Sequence, residues 1–446
     1  MPMISDQSPI NFSDSLPEAV DVVVIGAGIA GTATSYFLAE RGAKVLLCEK
    51  GRVAGEQSSR NWGWVRQQGR DWAELPIMME SNRIWRDLAE KTGETDLTFT
   101  NSGCYYLAED EAGLAKYEQW HDLAKQHQLD TKMLSTDELR EQFPGLRGDW
   151  LGGMMTPSDG RAEPFVAVPA LARAARALGA TIIEDCAVRT LDIEAGRITG
   201  VVTEKGTVRC SQVVLSAGAW STYFAANSGL DLPQLAVRST VSRTEPCPEV
   251  FSNNVSLSGL AVRRRADGGY TVSSGDVADH YLSLGSFKHF TKFLNLMKLS
   301  RRDLKLKLGA PQGYPGAWGT PRRWTGDDVS PFERMRVVNP PPSPLAIRRV
   351  EERLAVRCPA LKDVRFAESW AGMVDVTPDA VPTLGEDPKQ PGLFMATGLS
   401  GHGFGIGPAI GRIVADLVRG QSPGHDLSRF RASRFFDGSE IVPGPY

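Results

Sequence analysis

Three glycines and one acid near the start of the chain have the types and the spacing needed to hold a dinucleotide. Gly26, Gly28 and Gly31 follow the pattern G-x-G-x-x-G. The first glycine permits a tight turn, the second lets the backbone approach a pyrophosphate, and the third lets a helix pack against a strand. Glu49 stands where a carboxylate can accept hydrogen bonds from ribose hydroxyls. These residues therefore predict the binding of a pyrophosphate and a ribose.

The segments around these residues predict the strand–helix–strand unit that must position them. Residues 22–25 form a short apolar run, typical of a strand that is buried on both faces. Residues 30–41 have the composition of a helix, and residues 44–48 are a second apolar strand that leads into Glu49. A glycine triplet alone is a weak signal. The complete strand–turn–helix–strand context makes a nucleotide-binding unit the favoured interpretation.

Length and composition limit what the rest of the chain can be. A chain of 446 residues is too long for one compact core, so we expect two or more domains. The formal net charge of −3 does not predict nucleic acid binding. The 6 cysteines are scattered without a C-x-x-C pair, which favours free thiols in a reducing compartment over disulfides or a metal site.

The first residues and the hydropathy pattern predict where the protein resides. Residues 1–18 are polar and lack the basic start and apolar run of a signal peptide, so we expect them to be a flexible tail. The chain contains no apolar run long enough for a spanning helix. The sequence therefore favours a cytoplasmic protein, with association at the inner face of a membrane as the open alternative.

Two further turns rich in small residues follow apolar strands later in the chain. Residues 212–215 lead into Ser216-Ala217-Gly218-Ala219-Trp220, and residues 393–397 lead into the glycine-rich segment 398–411. A strand that ends in small residues lets another backbone segment or a cofactor come close, and a helix N-terminus offers N–H groups to a polar ligand. The segment 398–411 repeats the strand–turn–helix pattern of the first turn, so we expect it to face a second polar part of the same ligand.

The middle of the chain predicts a second domain and an unusual basic segment. Residues 235–284 alternate like antiparallel strands, which indicates a separate sheet. Residues 285–310 place Phe287, Phe290, Phe293, Leu294 and Met297 at helical spacing, among seven basic residues and the single acid Asp303. Such a segment fits a membrane surface, a partner subunit or a cover over the substrate entrance. It equally fits a helix packed on its own domain with a solvated basic side.

Taken together, four stretches resemble the D-amino-acid-oxidase-like family of flavoproteins, whose members include glycine oxidase, sarcosine oxidase and D-amino acid dehydrogenases. They are VVVIGAGIAGTATSYFLAERGAKVLLCEK, SSRNWGW, VVLSAGAW, and WAGMVDVTPDAVPTLGE with GLFMATGLSGHGFGIGPAIG, in the family's order across residues 21–417. The resemblance implies an α/β fold (α+β overall). A glutathione-reductase-type, Rossmann-like FAD-binding domain would comprise residues 19–75, 150–232 and 364–435. A substrate domain on an antiparallel sheet would comprise residues 76–149 and 233–363, with 285–310 as a basic insertion.

The resemblance also implies the residues of the cofactor site. The glycine triplet would hold the FAD pyrophosphate, residues 58–61 would wrap the pyrophosphate and the flavin edge, and the turn at 400–404 would face the flavin pyrimidine. Donors at that turn stabilise negative charge on the reduced ring. The expected cofactor-binding residues are Gly26, Gly28, Ile29, Ala30, Gly31, Glu49, Lys50, Ser58, Ser59, Arg60, Asn61, Trp62, Gly63, Val188, Ala217, Gly218, Trp220, Gly372, Ser400, Gly401, His402, Gly403 and Phe404.

Three departures from the family's pattern bear on the chemistry. Gly372 occupies the position at which some relatives carry a cysteine linked to FAD, which implies noncovalent FAD. Val374 and Gly405 replace an arginine and a lysine found in amino acid and sarcosine oxidases, so two usual carboxylate anchors are absent. The substrate is then an amine without a nearby carboxylate, or Arg66 has taken over as the anchor, because a guanidinium fork suits a carboxylate.

Three residues are candidates for direct roles in catalysis. Arg66 would be the carboxylate anchor, although a surface or structural arginine is an equal alternative. Trp370 would be an apolar wall of the substrate cavity, or else a core tryptophan. His402, flanked by glycines, would contact or orient the flavin.

The resemblance implies the FAD-dependent oxidation of a C–N bond in an amine or amino acid. A hydride would pass to flavin N5, water would hydrolyse the imine, and oxygen or a quinone would accept the electrons. One alternative is a flavin-binding subunit of a multi-subunit amine or opine-type dehydrogenase. A flavin monooxygenase is less favoured, because the segment 398–411 lacks the ribose acid of a second dinucleotide fingerprint.

Overall fold

The computed structural model describes residues 3–444, and the predicted strand–helix–strand unit lies at the centre of its first sheet. The strands are, in chain order, β1 Val22–Ile25, β2 Val45–Cys48, β3 Trp64–Val65, β4 Thr100–Asn101, β5 Cys104–Ala108, β6 Lys132–Leu134, β7 Gly152–Thr156, β8 Gly160–Arg161, β9 Thr181–Ile183, β10 Val188–Glu194, β11 Arg197–Thr203, β12 Gly206–Arg209, β13 Gln212–Leu215, β14 Leu235–Thr244, β15 Asn254–Leu257, β16 Leu260–Arg264, β17 Tyr270–Ser273, β18 Ala278–Tyr281, β19 Leu304–Lys307, β20 Phe366–Val376, β21 Thr383–Glu386 and β22 Leu393–Thr397. The α-helices are α1 Ile29–Glu40, α2 Gln57–Arg60, α3 Glu74–Thr92, α4 Glu111–Gln126, α5 Thr136–Gln142, α6 Pro164–Ala177, α7 Ser221–Asn227, α8 Leu284–Lys288, α9 Phe290–Ser300, α10 Pro331–Arg334, α11 Pro344–Arg357 and α12 Gly403–Val418.

The first sheet carries the glycine-rich turns. Its six strands lie in the order β21-β22-β13-β1-β2-β9, and all neighbouring pairs are parallel except β21 with β22. Val24 belongs to a core shared with α1 and α12, whereas Val23 belongs to a core shared with β11 and β12. Because successive side chains of a strand point to opposite faces, burial on both faces requires the unbroken apolar run of β1.

The second sheet is built from the middle of the chain. Its strands follow the order β19-β18-β14-β17-β16-β15-β5-β7-β6, and β20 pairs with β14 along most of its length. The pairs are antiparallel except β15 with β5 and β18 with β19. Helix α11 covers one face, where Val350 and Leu354 share a core with Val262 and Val272. The sheet is therefore mainly, but not wholly, antiparallel.

The predicted domain boundaries are wrong at two strands and one helix. β7 and β20 were expected in the nucleotide-binding domain, but they are strands of the second sheet. Helix α3 was expected almost entirely in the substrate domain, but it packs on α12 beside the first sheet. The Ser81 hydroxyl and the Trp85 indole N–H both donate to the carbonyl of Gly405, at 2.7 and 3.0 Å.

The N-terminal segment also differs from its prediction. Phe12 is buried, and the Glu184 carboxylate accepts the N–H groups of Asn11 and Phe12 at 2.6 and 3.1 Å. Asp14 pairs with Arg176 at 2.5 Å on the other side of the segment. The expectation of a flexible tail over residues 1–18 is therefore wrong for residues 11–14, and its first two residues lie outside the described part of the chain.

The basic segment folds as α8, α9 and β19, and β19 forms an edge of the second sheet. Within α9, Phe293 is the buried residue. Other large apolar side chains of this region are exposed, namely Leu284, Phe287, Phe290, Leu294, Leu299, Leu306 and Leu308. None of the helices within residues 3–444 combines the length and the apolar character required to cross a membrane.

Candidate functional site

A deep cleft lies at the carboxyl ends of the parallel strands of the first sheet, where open α/β sheets bind their ligands. It contains about 1130 Å³ of space outside the protein atoms, part of it open to solvent. The predicted residues that line it are Gly26, Gly28, Ile29, Ala30, Glu49, Lys50, Ser58, Asn61, Val188, Ala217, Gly218, Trp220, Gly401, Gly403 and Phe404. The structure thus brings together residues that are up to 378 positions apart in the chain, since Gly26 and Phe404 share the cleft.

The three glycines of the first turn lie in different surroundings. Gly26 has a φ of +98°, and a Cβ there would lie 2.7 Å from the carbonyl oxygen of Ser216. A Cβ on Gly31 would overlap the carbonyl oxygen of Gly26, so the close helix–strand packing requires glycine. At Gly28 the added atom would meet only the Ser58 hydroxyl, at 2.9 Å, on the side of the cleft. The first and third glycines build the turn, whereas the second keeps the cleft open.

Helix α1 directs its N-terminus at this cleft. The Ile29 N–H donates to the Ser58 hydroxyl at 2.9 Å, and the first turn contains no acidic residue. The positive end of the helix dipole is therefore available to an anion. A pyrophosphate fits this position both by charge and by the space that Gly28 leaves.

Glu49 is fixed at the next strand end. Its two carboxylate oxygens accept the N–H groups of Ala27 and Gly51, each at 2.8 Å. Burial raises the pKa of Glu49 to about 7. The Lys50 charge and the two backbone hydrogen bonds lower this pKa and so oppose part of the effect of burial. The neighbouring Lys50 ammonium pairs with Glu56 at 2.6 Å and lies over the Trp220 ring. This arrangement offers hydroxyl acceptors and an aromatic ring, as an adenosine requires.

The part of the cleft wall beside α12 is organised by Asp375, which the sequence did not single out. Its carboxylate accepts the N–H groups of Gly398 and Leu399 at 2.8 and 3.1 Å, and its backbone carbonyl accepts that of Ser400. Burial raises the pKa of Asp375 to about 6. These bonds hold the turn that precedes α12, including Ser400 with its φ of +48°. The available signal was an acid placed between Val374 and Val376 in an apolar strand.

Several predicted residues support the cleft from behind and do not line it. The Arg60 guanidinium is buried and donates to the carbonyls of Gly55 and Ala371 at 3.0 and 2.9 Å. The Trp370 indole donates to the Arg60 carbonyl at 3.0 Å and packs edge-on against Phe165. The predicted cavity wall at Trp370 is therefore a core side chain. Within residues 3–444, the predicted residues outside the cleft lining are Gly31, Ser59, Arg60, Trp62, Gly63, Arg66, Trp370, Gly372, Ser400 and His402.

His402 and Arg66 belong to a buried polar cluster beside the N-terminus of α12. The His402 imidazole Nδ1 lies 3.4 Å from a carboxylate oxygen of Glu74, which is completely buried. Burial lowers the pKa of His402 to about 4, and the charge of Arg70 adds to this effect. The imidazole is therefore neutral near pH 7, and it contacts Glu74.

Arg66 lies close to the same cluster. It donates to the carbonyl of Gln68, and its guanidinium lies 5.8 Å from the centre of the Tyr106 ring. The strand that precedes it, β3, touches the start of α12, because a Cβ on Gly405 would lie 3.3 Å from the Trp64 carbonyl oxygen. Within the described part of the chain, the Arg66 guanidinium forms one hydrogen bond, and its acceptor is the Gln68 carbonyl.

Other parts of the cleft wall were missed because no local pattern marks them. Phe332 reaches the cleft from residues 311–345, which have no regular periodicity in the sequence. Glu56 accepts hydrogen bonds from the nearby Lys50 ammonium and from two groups that are distant in sequence, the Trp220 indole and the Val338 N–H. The further lining residues include Cys48, Arg52, Gln57, Cys186, Met373, Thr397 and Leu399.

Comparison with known proteins gives consistent matches. A family model described as "DAO: FAD dependent oxidoreductase" matches residues 21–417. Glycine oxidase of Bacillus subtilis is 26% identical over 424 residues, which cover 93% of this chain and 97% of the relative. Mitochondrial sarcosine dehydrogenase of Mus musculus is 26% identical over 96% of this chain, but the match spans only 42% of that relative.

The solved structures include one with the same overall arrangement. The L-amino acid deaminase from Proteus myxofaciens, solved in complex with anthranilate, has a TM-score of 0.91 and 31% sequence identity. The match covers 98% of this chain and 100% of that one. The predicted fold class, a nucleotide-binding α/β domain with a second sheet-based domain, is confirmed.

Proposed function

This chain belongs to the DAO family of FAD-dependent oxidoreductases, and on that premise we propose that it oxidises the C–N bond of an amine or amino acid. The supporting observation is the single cleft that joins the G-x-G-x-x-G turn to the N-terminus of α12. Its lining includes the first residues of both helices, Ile29 of α1 and Gly403 of α12, so two positive helix termini face one cleft. The product would be an imine, which water hydrolyses.

The residues that would hold FAD follow from the cleft. The N-terminus of α1 would face the pyrophosphate, Glu49 would accept from the ribose hydroxyls, and the turn fixed by Asp375 would present N–H groups to the flavin. When bound, FAD supplies the acceptor for the hydride that leaves the substrate carbon. The positive end of α12 favours the negative charge that this transfer creates. Neutral His402 adds no charge of its own and holds α12 against Glu74.

Anaerobic reduction by candidate substrates tests the proposed function. The purified yellow protein should lose its colour without oxygen when a suitable amine or amino acid is added. Panels of both enantiomers, together with amines that lack a carboxylate, would define the substrate class. Bleaching by NADH or NADPH, with no response to any amine, would instead identify a monooxygenase or reductase and overturn the proposal.

We expect the FAD to be bound without a covalent link. Position 372, where some relatives carry a cysteine linked to FAD, is a glycine and has no side chain that could form such a bond. Acid precipitation should therefore release the yellow colour into the supernatant. Flavin that remains in the washed pellet would contradict this expectation.

The affinity for FAD should decrease as the pH falls below about 7. Burial gives Glu49 a pKa of about 7, well above its ordinary value. Ribose hydroxyls that donate to the carboxylate favour its charged form, so binding of FAD releases a proton from any apoprotein molecule in which Glu49 is protonated. For one proton the dissociation constant should rise by up to about tenfold per pH unit. Titrating the apoprotein with FAD at several pH values measures this slope.

The Glu49→Gln variant is the matched control for this pH dependence. Its amide keeps the shape of the side chain but cannot titrate, so its FAD affinity should be weaker and independent of pH over the same interval. An unchanged slope in this variant would assign the proton to another group.

We further propose that the exposed face of residues 284–308 contacts an anionic membrane surface. Phe287, Phe290 and Leu299 have exposed fractions of 61%, 50% and 62%. Lys298, Arg301 and Arg302 surround them, whereas Lys288 is paired with Asp231. Apolar side chains bordered by basic ones suit the boundary between lipid headgroups and acyl chains. Such a contact would bring the enzyme close to a quinone acceptor.

A triple variant in which Phe287, Phe290 and Leu299 are each replaced by serine should no longer sediment with anionic vesicles. Its melting temperature should stay near that of the parent. The side chains are exposed, so the fold does not depend on them. A control with Leu178, Ile193 and Val356 replaced by serine removes as many exposed apolar side chains elsewhere and should still bind. A change in oligomer size without vesicle binding by the parent would identify a subunit contact instead.

A further inference from the structure

Two thiols that the proposed reaction does not use lie side by side in the wall of the cofactor cleft. The Sγ atoms of Cys48 and Cys186 are 3.9 Å apart, and both residues line the cleft. Each is only 1% exposed. Cys48 ends β2 directly before Glu49, and Cys186 follows β9, the strand beside β2 in the sheet. The pair therefore lies at the expected adenosine end of the cleft.

We propose that Cys48 and Cys186 form a reversible disulfide that controls whether the cleft accepts FAD. A disulfide places its sulfur atoms about 2.0 Å apart, so these two must approach by about 1.9 Å from their present separation. A shift of that size can come from side-chain rotation together with a small movement of the loop that carries Cys186. This inference requires the cleft to hold FAD but does not depend on any particular substrate.

The backbone of both cysteines is bonded to the groups expected to bind the cofactor. The carbonyl of Cys48 accepts the N–H of Gly26 at 2.8 Å, and the N–H of Cys186 donates to the carbonyl of Glu49 at 2.8 Å. The movement of the Cys186 loop that brings the sulfur atoms together would therefore shift the acid at the strand end, and any movement of Cys48 would shift the first glycine of the fingerprint. Both must be placed accurately for a pyrophosphate and a ribose. The disulfide should consequently weaken FAD binding.

The contact between the two thiols favours Cys186 as the nucleophile. The Cys48 thiol lowers the pKa of Cys186, and Thr203 and the Lys205 ammonium act in the same direction, whereas burial and the Glu204 charge act against them. The Cys186 thiolate would attack an oxygen of hydrogen peroxide, forming a sulfenic acid as the O–O bond breaks and, with one proton, water leaves. The Cys48 sulfur would then displace the second oxygen, which also leaves as water. Two thiols and one peroxide thus give one disulfide and two waters.

Cofactor and disulfide should oppose each other. FAD in the cleft covers both cysteines and fixes Glu49, so the loaded protein should oxidise more slowly than the apoprotein. By reciprocity, the oxidised apoprotein must bind FAD more weakly. The expected weakening is about tenfold or more, within the range usual for coupled sites.

The test compares apoprotein and FAD-loaded protein after treatment with hydrogen peroxide. Digestion without reductant should yield, from the apoprotein, a linked peptide pair that contains Cys48 and Cys186 and is lighter by two hydrogen atoms. FAD titration of the oxidised apoprotein should show the weaker binding, and dithiothreitol should restore the original affinity. The FAD-loaded sample should form the linked pair more slowly.

Cysteine variants complete the experiment. Cys186→Ser and Cys48→Ala should each show the same FAD affinity before and after peroxide, whatever that affinity is. Cys358→Ser, which removes a buried thiol in the core of the second sheet, should respond like the parent. The proposal fails if no linked pair forms, if only sulfinic or sulfonic acids appear, or if the linked apoprotein binds FAD as tightly as the reduced one.

Discussion

Replacing Gly28 with valine should yield a folded protein that purifies without FAD. A Cβ at this position would lie 2.9 Å from the Ser58 hydroxyl and has no backbone contact within 4 Å. The added methyl groups must then extend into the cleft, where the pyrophosphate would lie against the N-terminus of α1. Because the obstacle is one rotatable hydroxyl, the fold should survive while the ligand is excluded. The ratio of flavin absorbance to protein absorbance measures the loss.

Two other glycines serve as controls for this substitution. Gly275 has nothing within 4 Å of an added Cβ, so Gly275→Val should keep both the fold and the full flavin content. Gly31→Val should instead fail to fold, because its Cβ would overlap the carbonyl oxygen of Gly26. If Gly28→Val retained stoichiometric flavin, the cofactor would have to lie elsewhere.

The strand–helix–strand unit could be predicted almost to the residue because its signals are local. The apolar run before Gly26, the helical composition after Gly28 and the second apolar run before Glu49 are all encoded within 30 residues. The structure gives β1, α1 and β2 bounds that differ from these predictions by at most one residue. Burial on both faces forces such strands to be apolar, so the pattern and the topology agree.

The partition between domains could not be predicted in the same way. Helix α3 has an ordinary amphipathic pattern. Such a pattern indicates that one face of the helix is buried, but it does not indicate which element covers that face. Its partner is α12, and the contact joins Ser81 to Gly405, 324 positions later. The same limit applies to α9, where helical spacing marked Phe290 and Phe293 alike. Phe293 alone of the two is buried.

The candidate site, too, could be predicted where its signals are local and not where it depends on contacts between distant segments. The glycine turns and Glu49 were found from spacing, whereas Asp375 and Glu56 act through bonds to backbone and side chains from distant segments. Trp370 and Arg60 were assigned to the site because they neighbour its motifs in sequence. In the structure the Trp370 indole donates a hydrogen bond to the Arg60 carbonyl, and neither residue lines the cleft. Proximity in sequence placed these residues near the cleft but could not decide which side chains line it.

Replacing Arg66 with alanine should raise KM for a carboxylate substrate by about 10- to 150-fold, the equivalent of about 1.5–3 kcal/mol for a hydrogen bond to a charged group. Arg66 follows β3 beside the start of α12, the helix terminus proposed to face the flavin. Its one hydrogen bond among the described residues is to the Gln68 carbonyl, so the fork retains donors for a ligand. Flavin content should remain unchanged, because Arg66 is not among the described residues that line the cleft.

Two comparisons separate an anchor from a structural arginine at this position. Arg66→Ala should leave KM unchanged for amines that lack a carboxylate, since those substrates never used the guanidinium. Arg66→Lys should recover only part of the affinity, because an ammonium keeps the charge but not the planar fork that binds both carboxylate oxygens. Equal losses on both substrate classes, accompanied by a lower melting temperature, would show that Arg66 holds Gln68 and Tyr106 in place instead. The carboxylate anchor would then have to be sought among the other cations of the buried cluster, beginning with Arg70, which lies 3.9 Å from Glu74.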